Sequence, residues 1–188
     1  MIEPRGPLGE GSSEPLPQVV SSRKVYAGRI IDVRVDEITL PEGGTALREV
    51  VDHPGAVVVA AVDADDNVFL VRQYRHPIGR ELLEFPAGTL EPEEEPLAAA
   101  KRELREEVGL EAREWTPLPA FFSSPGFVNE RLYPFLARNL TKVPSDPDDD
   151  EVISVVRYPL AELLERLDEV ADAKTLATLA LLERILFR

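Results

Sequence analysis

Glutamates crowd one short stretch of the chain, Lys101-Arg102-Glu103-Leu104-Arg105-Glu106-Glu107-Val108-Gly109-Leu110. Read as a helix of 3.6 residues per turn, it sets Glu103, Glu106 and Glu107 at i, i+3 and i+4, on one face. Leu97, Ala100, Leu104 and Val108 form an adjacent apolar stripe suited to packing on a sheet. The carboxylates then stand at the seam between core and solvent. Like charges at these spacings repel by roughly 0.2–0.5 kcal/mol per pair on an exposed helix, and by more when desolvated. A hard divalent cation turns that repulsion into binding. Mg²⁺ in particular takes one or two carboxylates together with waters and substrate phosphates. Taken alone, a solvated acidic face balanced by Lys101, Arg102 and Arg105 is the commoner outcome.

Composition limits the alternatives. The 188 residues suit one domain with a sizeable core, at 44% hydrophobic and 30% charged. Without cysteine there is no disulfide, thiolate nucleophile or Cys-ligated zinc. With only His53 and His76 there is no histidine-rich metal site, and both read as structural or surface residues. Any metal would be held by oxygen, which favours Mg²⁺, Mn²⁺ or Ca²⁺. The net charge of −14 repels nucleic acids and anionic membranes. An anionic substrate would therefore need metal ions or local basic residues. No run of 18 apolar residues offers a membrane span, and the N-terminus lacks the apolar segment of a secretory signal. A cytoplasmic location is the expectation.

The elements that must position the glutamates can be read in outline. Residues 1–20, rich in Pro, Gly, Ser and Glu, read as a flexible tail. Residues 21–53 form an N-terminal β region: alternation over 24–39, a Pro41-Glu42-Gly43-Gly44 turn and residues 46–51 predict an antiparallel hairpin. Residues 54–188 form the main domain. There, 55–62 is a continuous apolar run suited to a strand buried on both faces. Residues 68–74 form a second strand and 81–85 a short extended segment. A loop through Pro86, Gly88 and 91–96 leads to a helix over 97–108. Strands are predicted around 115–122, 131–137 and 151–158, an acidic turn at 145–150, and two helices over 160–170 and 174–187. Strands flanked by separate helices indicate a layered α/β or α+β domain.

Spacing changes the weight of the glutamate face. Gly88, five residues, Glu94, seven residues, then Arg102-Glu103-Leu104-x-Glu106-Glu107-x-Gly109-Leu110 match a known box at every fixed position. Chance agreement is on the order of 10⁻⁸ per starting point at average residue usage. On this box the chain resembles the Nudix hydrolase superfamily. Its parts have physical readings: Gly88 for an unusual backbone angle, Gly109 as the residue ending the helix, and Arg102 pairing with Glu94 or Glu106 to fix loop against helix. The resemblance implies an α/β/α sandwich with a mixed sheet and hydrolysis of a nucleoside diphosphate linked to another group. It also implies that Glu103 and Glu107 ligate the metal, that Glu106 assists directly or through water, and that the Ala87 carbonyl is a further ligand.

Three segments outside the box narrow the resemblance. They are Val71-Arg72-Gln73-Tyr74-Arg75, the lead-in Glu84-Phe85-Pro86-Ala87-Gly88, and Ser123-Ser124-Pro125-Gly126-Phe127-Val128-Asn129-Glu130. Together they are similar to the ADP-ribose pyrophosphatase branch, and the resemblance spans most of residues 45–140. With a diphosphate substrate, Arg72 and Arg75 become candidates for phosphate contact, and Glu84 joins them as a substrate-site residue. Strand alternation sets Arg72 and Tyr74 on one face and Gln73 and Arg75 on the other, so one site on one chain cannot use them all unless the strand ends or a partner subunit contributes. In the resembled branch an acid on the third segment, here Glu130, acts as or orients the general base. Glu106 and a purely metal-activated hydroxide remain open beside it. Phe127 and Tyr74 are candidates for base stacking, although aromatic residues more often fill cores.

The implied reaction is Mg²⁺-dependent hydrolysis of ADP-ribose to AMP and ribose 5-phosphate, with another nucleoside-diphosphate compound such as a GDP- or UDP-sugar as the alternative. Members of the branch are commonly homodimers that exchange N-terminal strands, which makes residues 24–51 the candidate dimerisation element. No nucleic-acid or membrane partner is expected. A nucleotide-sensing domain without turnover would be expected to lack Glu103, Glu106 or Glu107, and all are present. A calcium-binding structural protein would need EF-hand spacing, which residues 146–151 lack.

Overall fold

The computed structural model describes residues 16–144 and 153–186. Most of the tail and the acidic turn at 145–150 lie outside the described residues. The chain divides into two compact units, residues 1–51 and 52–188.

The first unit is a three-stranded sheet ordered β1-β2-β3: β1 Val19–Ala27, β2 Asp32–Thr39 and β3 Thr45–Asp52. The alternating stretch expected as one strand is therefore two antiparallel strands. The break falls at Gly28, whose N–H donates to the Ile31 carbonyl at 3.0 Å. A Cβ at Gly28 would stand 2.8 Å from that oxygen and 2.7 Å from the Tyr26 ring, so only glycine closes this turn. β1 starts at Val19, inside the segment read as tail. Val19, Val20, Val25, Tyr26 and Leu47 are exposed.

The second unit is built around β4, Ala56–Ala61, which is buried along its whole length. It pairs in parallel with β10, Arg131–Lys142, and antiparallel with the three-residue β7, Ala87–Thr89. With β8, Leu110–Pro117, on the far side of β10, the order is β7-β4-β10-β8, and β9, Phe121–Phe122, pairs with β10. The sheet is mixed, as the resemblance implied. A second, antiparallel sheet has the order β11-β5-β6: β11 Ile153–Pro159, β5 Asn67–Arg75 and β6 Arg80–Glu84.

Alternation along β4 feeds two cores. Val57, Val59 and Ala61 pack with Ala99, Ala100 and Leu104 of α1, Pro96–Val108. Val58, Ala60 and Val62 pack with Leu160 and Leu163 of α2, Leu160–Glu165, and with Leu179 and Leu182 of α3, Ala173–Leu186. Helices thus cover both faces of the sheet. The long helix expected over 160–170 stops at Glu165 and continues only as a 3₁₀ turn, Leu167–Glu169. Leu97, placed in the apolar stripe, is exposed, and Ala99 takes its place in the core. Among the described residues no helix is long and apolar enough to cross a membrane.

Candidate active site

α1 begins with Pro96 in its first turn and ends at Gly109, whose φ of 68° is the left-handed conformation that glycine adopts without strain. Its inward face carries Ala99, Ala100 and Leu104 and also Glu103 and Glu107, which are 8% and 5% exposed. Two carboxylates are thus held against the sheet by the helix that buries the leucine. Carboxylates are almost never this buried unless paired or metal-bound.

Both converge on the backbone between β6 and α1. The Ala87 N–H donates to Glu107 Oε2 at 3.0 Å. Gly88 faces the Glu103 carboxylate so closely that a Cβ would lie 1.7 Å from Oε1. The unusual backbone angle expected at Gly88 is not what the structure shows, because Gly88 is not among the positive-φ glycines. Glycine is needed there for space, since any side chain would occupy the carboxylate's position.

Arg102 ties the loop to the helix. Its Nε and Nη2 donate to the two Glu94 oxygens at 3.1 and 3.0 Å, and Nη1 donates to Glu103 at 2.7 Å and Glu106 at 3.0 Å. Nη2 also reaches the Thr89 carbonyl at 3.3 Å. Hydrogen bonding to Glu94 is the main reason the guanidinium is held even more firmly charged than usual, and it draws the Glu94 carboxyl below its ordinary range. One cation therefore serves three carboxylates, with Glu107 beside them.

Among the described residues no group of three or more His, Asp or Glu side chains is arranged to hold an ion by itself. The oxygens at hand are buried Glu103 and Glu107, half-buried Glu106 and the loop backbone at Ala87. This open, hard, few-carboxylate set fits Mg²⁺, which keeps waters and takes phosphate oxygens, better than it fits a cation that wants an all-protein shell.

Arg75 and Glu84 lie together and next to this centre. Arg75 Nε and Nη2 donate to the two Glu84 oxygens at 2.8 and 2.7 Å, which leaves Nη1 outside that fork. Glu84 hydrogen bonding is the main cause that raises the Arg75 pKa, and the negative charges of Asp172 and Glu107 add to it. Glu84 is 1% exposed. Burial pushes its carboxyl up, but Arg75 and Lys174 more than reverse this and leave it below its ordinary value. Arg72 is elsewhere, in a cavity of about 320 Å³ lined also by Arg80, Tyr158 and Arg166. Strand alternation thus separates the two arginines, and only Arg75 adjoins the α1 glutamates.

Glu130 ends the 123–130 loop. Its Oε1 lies 3.7 Å from His53 Nδ1. That nitrogen also accepts the Gly55 N–H at 3.0 Å. The loop is pinned one residue earlier: Asn129 Oδ1 accepts the His53 N–H at 2.8 Å, and Nδ2 donates to Asp52 at 2.7 Å. Tyr74 and Phe127 are exposed and outside the core.

Sequence reasoning assigned no role to Asn129 or to the start of α3. Asp172 Oδ2 accepts the Thr175 N–H at 2.9 Å, and the Thr175 hydroxyl accepts the Phe85 N–H at 2.9 Å. Lys174 bonds Glu84 and, at 3.0 Å, Asp172. An Asp three residues before a Thr at a helix start was the available cue.

A family model described as NUDIX domain matches residues 52–179, and one described as nucleoside diphosphate sugar hydrolase N-terminal domain matches residues 18–51. The chain belongs to the Nudix family. This Nudix chain is 40% identical over 162 residues to an ADP-ribose pyrophosphatase of Bacillus subtilis (strain 168), covering 84% of this chain and 88% of that one. It is 35% identical over 170 residues to a methanol dehydrogenase activator of Bacillus methanolicus, covering 88% and 92%. A crystal structure of an ADP compounds hydrolase aligns at a TM-score of 0.83 with 25% identity, covering 94% of this chain and 97% of that one.

Proposed function

We propose that this Nudix chain hydrolyses the diphosphate of ADP-ribose to AMP and ribose 5-phosphate, with Mg²⁺ as cofactor. The observation that carries this reading is the convergence of buried Glu103 and Glu107 on the Ala87-Gly88 backbone. It occurs in a chain 40% identical to an ADP-ribose pyrophosphatase.

Divalent ions held by Glu103, Glu107, Glu106 and the Ala87 carbonyl would offset the diphosphate charge and acidify the attacking water. Arg75 binds a phosphate oxygen through Nη1 while Glu84 fixes the guanidinium plane. Arg102 keeps Glu94, and with it the loop, in register with α1. Glu130 accepts the proton of the attacking water. Glu106 is the poorer base because Arg102 already engages it at 3.0 Å. Water adds to one phosphorus, the bridging P–O bond breaks, and the bridging oxygen leaves with the other phosphate.

The exposed apolar residues of β1, Val19, Val20, Val25 and Tyr26, favour a second copy of the chain as their cover, making the protein a homodimer. Light scattering should give a dimer's mass, and Tyr26→Asp should shift it toward the monomer. A cytoplasmic location belongs to the same reading. The N-terminal match to a nucleoside diphosphate sugar hydrolase domain supports a wider sugar-nucleotide range as the second reading.

The deciding experiment incubates the protein with Mg²⁺ and ADP-ribose, GDP-mannose or UDP-glucose, and resolves products by chromatography. ADP-ribose should yield AMP at the highest rate. A faster GDP- or UDP-sugar would move the assignment to the second reading, and no nucleoside monophosphate from any compound would sink both.

A further inference from the structure

Glu84 is an almost wholly buried carboxylate that a bidentate arginine already satisfies, yet a second cation is built onto it. Lys174 comes from 90 residues further along the chain to bond Glu84, and it is itself mostly buried, at 16% exposure of its side chain. Asp172 holds Lys174 from the other side at 3.0 Å and caps α3 through the Thr175 N–H. The lysine is thus fixed at both ends of its charge, on the first turn of a helix whose next residues are core.

The charges explain what the second cation does. Glu84 and Asp172 carry two negatives, and Arg75 and Lys174 carry two positives. The cluster is neutral, and Arg75 uses only Nε and Nη2 on Glu84. Without the lysine, two carboxylates would face one guanidinium beside Glu107. Arg75 would be drawn wholly onto its own scaffold, and an approaching diphosphate would meet net negative charge. A conjugate thread runs along the backbone: the Thr175 hydroxyl accepts the Phe85 N–H, two residues before Ala87.

We propose that Lys174 is a positioning residue of the reaction: by sharing Glu84 with Arg75, it leaves the Nη1 edge of that arginine available and aligned for the substrate diphosphate. This rests on the function proposed above. Lys174 touches no reacting atom, so its effect falls on substrate binding more than on the chemical step.

The test compares wild type, Lys174→Met, Lys174→Arg, Glu84→Gln and the Lys174→Met/Glu84→Gln double variant, each first shown to be folded by circular dichroism. Lys174→Met should raise the KM for ADP-ribose about tenfold, the size of one charge-assisted hydrogen bond, with kcat changed far less. Lys174→Arg should restore KM to within about twofold of wild type. The double variant should lose no more than the worse single one, since both act through Arg75. Calorimetric affinity for ADP without divalent ions should fall in parallel in Lys174→Met. A lowered melting temperature with unchanged KM and unchanged ADP affinity would make Lys174 merely structural and overturn the proposal. So would multiplicative losses in the double variant, or no rescue by arginine. If the wild type cleaves some other nucleoside-diphosphate compound, the substrate assignment fails and the same series is read on that compound. If it cleaves none, the ADP titration alone decides on Lys174.

Discussion

Two acidic clusters lie on either side of the Phe85-Pro86-Ala87 backbone, and they are balanced differently. Around Glu84, two carboxylates meet two cations: Glu84 and Asp172 against Arg75 and Lys174. On α1, Glu94, Glu103 and Glu106 all hydrogen-bond one cation, Arg102, with Glu107 alongside. Both clusters are costly to bury. The balanced one behaves as scaffold, a set of mutually satisfied groups that aims a side chain. The α1 cluster is where, on the function proposed above, a divalent cation would bind. The contrast lies in how the acids are held: Glu84 is shared by two side-chain cations, whereas three α1 acids share Arg102 and Glu107 accepts a backbone N–H within the field of Arg75.

Substitutions that alter one cluster at a time test this contrast. The largest effect is expected from Glu107→Gln, which should lower kcat/KM by about 10³-fold by removing charge aimed at the reacting centre. A wild-type rate in this variant would remove the contrast. Gly88→Ala follows. Its Cβ would sit 1.7 Å from Glu103 Oε1, so the carboxylate must move. A misplacement of that order costs about 10²-fold in rate. Activity close to wild type would show that Glu103 works from another position.

Glu130→Gln belongs to neither cluster and should cost about 10²-fold in kcat, the lower range for losing a general base. An unchanged kcat would return the proton to Glu106 or to the metal-bound water alone. The smallest effects concern acid stability. The Glu84 carboxyl is held below its ordinary 4.5, so the stability it contributes is complete above that pH and is lost as pH falls through its folded value. Glu84→Gln should therefore flatten the acid limb of thermal stability. Asp63 offers a comparison remote from both clusters: burial raises its carboxyl, but hydrogen bonds from Arg157 and Asn67 bring it to about 2 from 3.8. Asp63→Asn should remove a loss of stability confined to that pH interval and leave turnover alone.

The α1 cluster was legible in the sequence because its logic is local. Helical periodicity alone gathers Glu103, Glu106 and Glu107, and the fixed distances back to Gly88 and Glu94 carry the rest. The fully buried β4 was legible for the same reason, as an unbroken apolar run. The balanced cluster was not. Glu84 and Lys174 are 90 residues apart, and no period links them; they meet because α3 packs its first turn beside β6. The true need for glycine at 88 was hidden likewise, since the clash is with a side chain on a different element. The break of the first long strand at Gly28 depended on a single close approach of a carbonyl. Alternation did foretell that Arg72 and Arg75 diverge, but only the side-chain contacts of Arg75 with Glu84 show which one stands by the glutamates.

On the function proposed above, the crowded carboxylates of α1 are a working cation site. The most direct test is the initial rate of AMP formation from ADP-ribose as Mg²⁺ is titrated from chelator-treated zero, in wild type and in Glu107→Gln. Expected are no turnover without metal, a saturating rise in wild type, and a curve for Glu107→Gln that stays about 10³-fold lower at every Mg²⁺ concentration. A wild-type rate that survives chelation, or a Glu107→Gln curve that overlies the wild type, would contradict that reading.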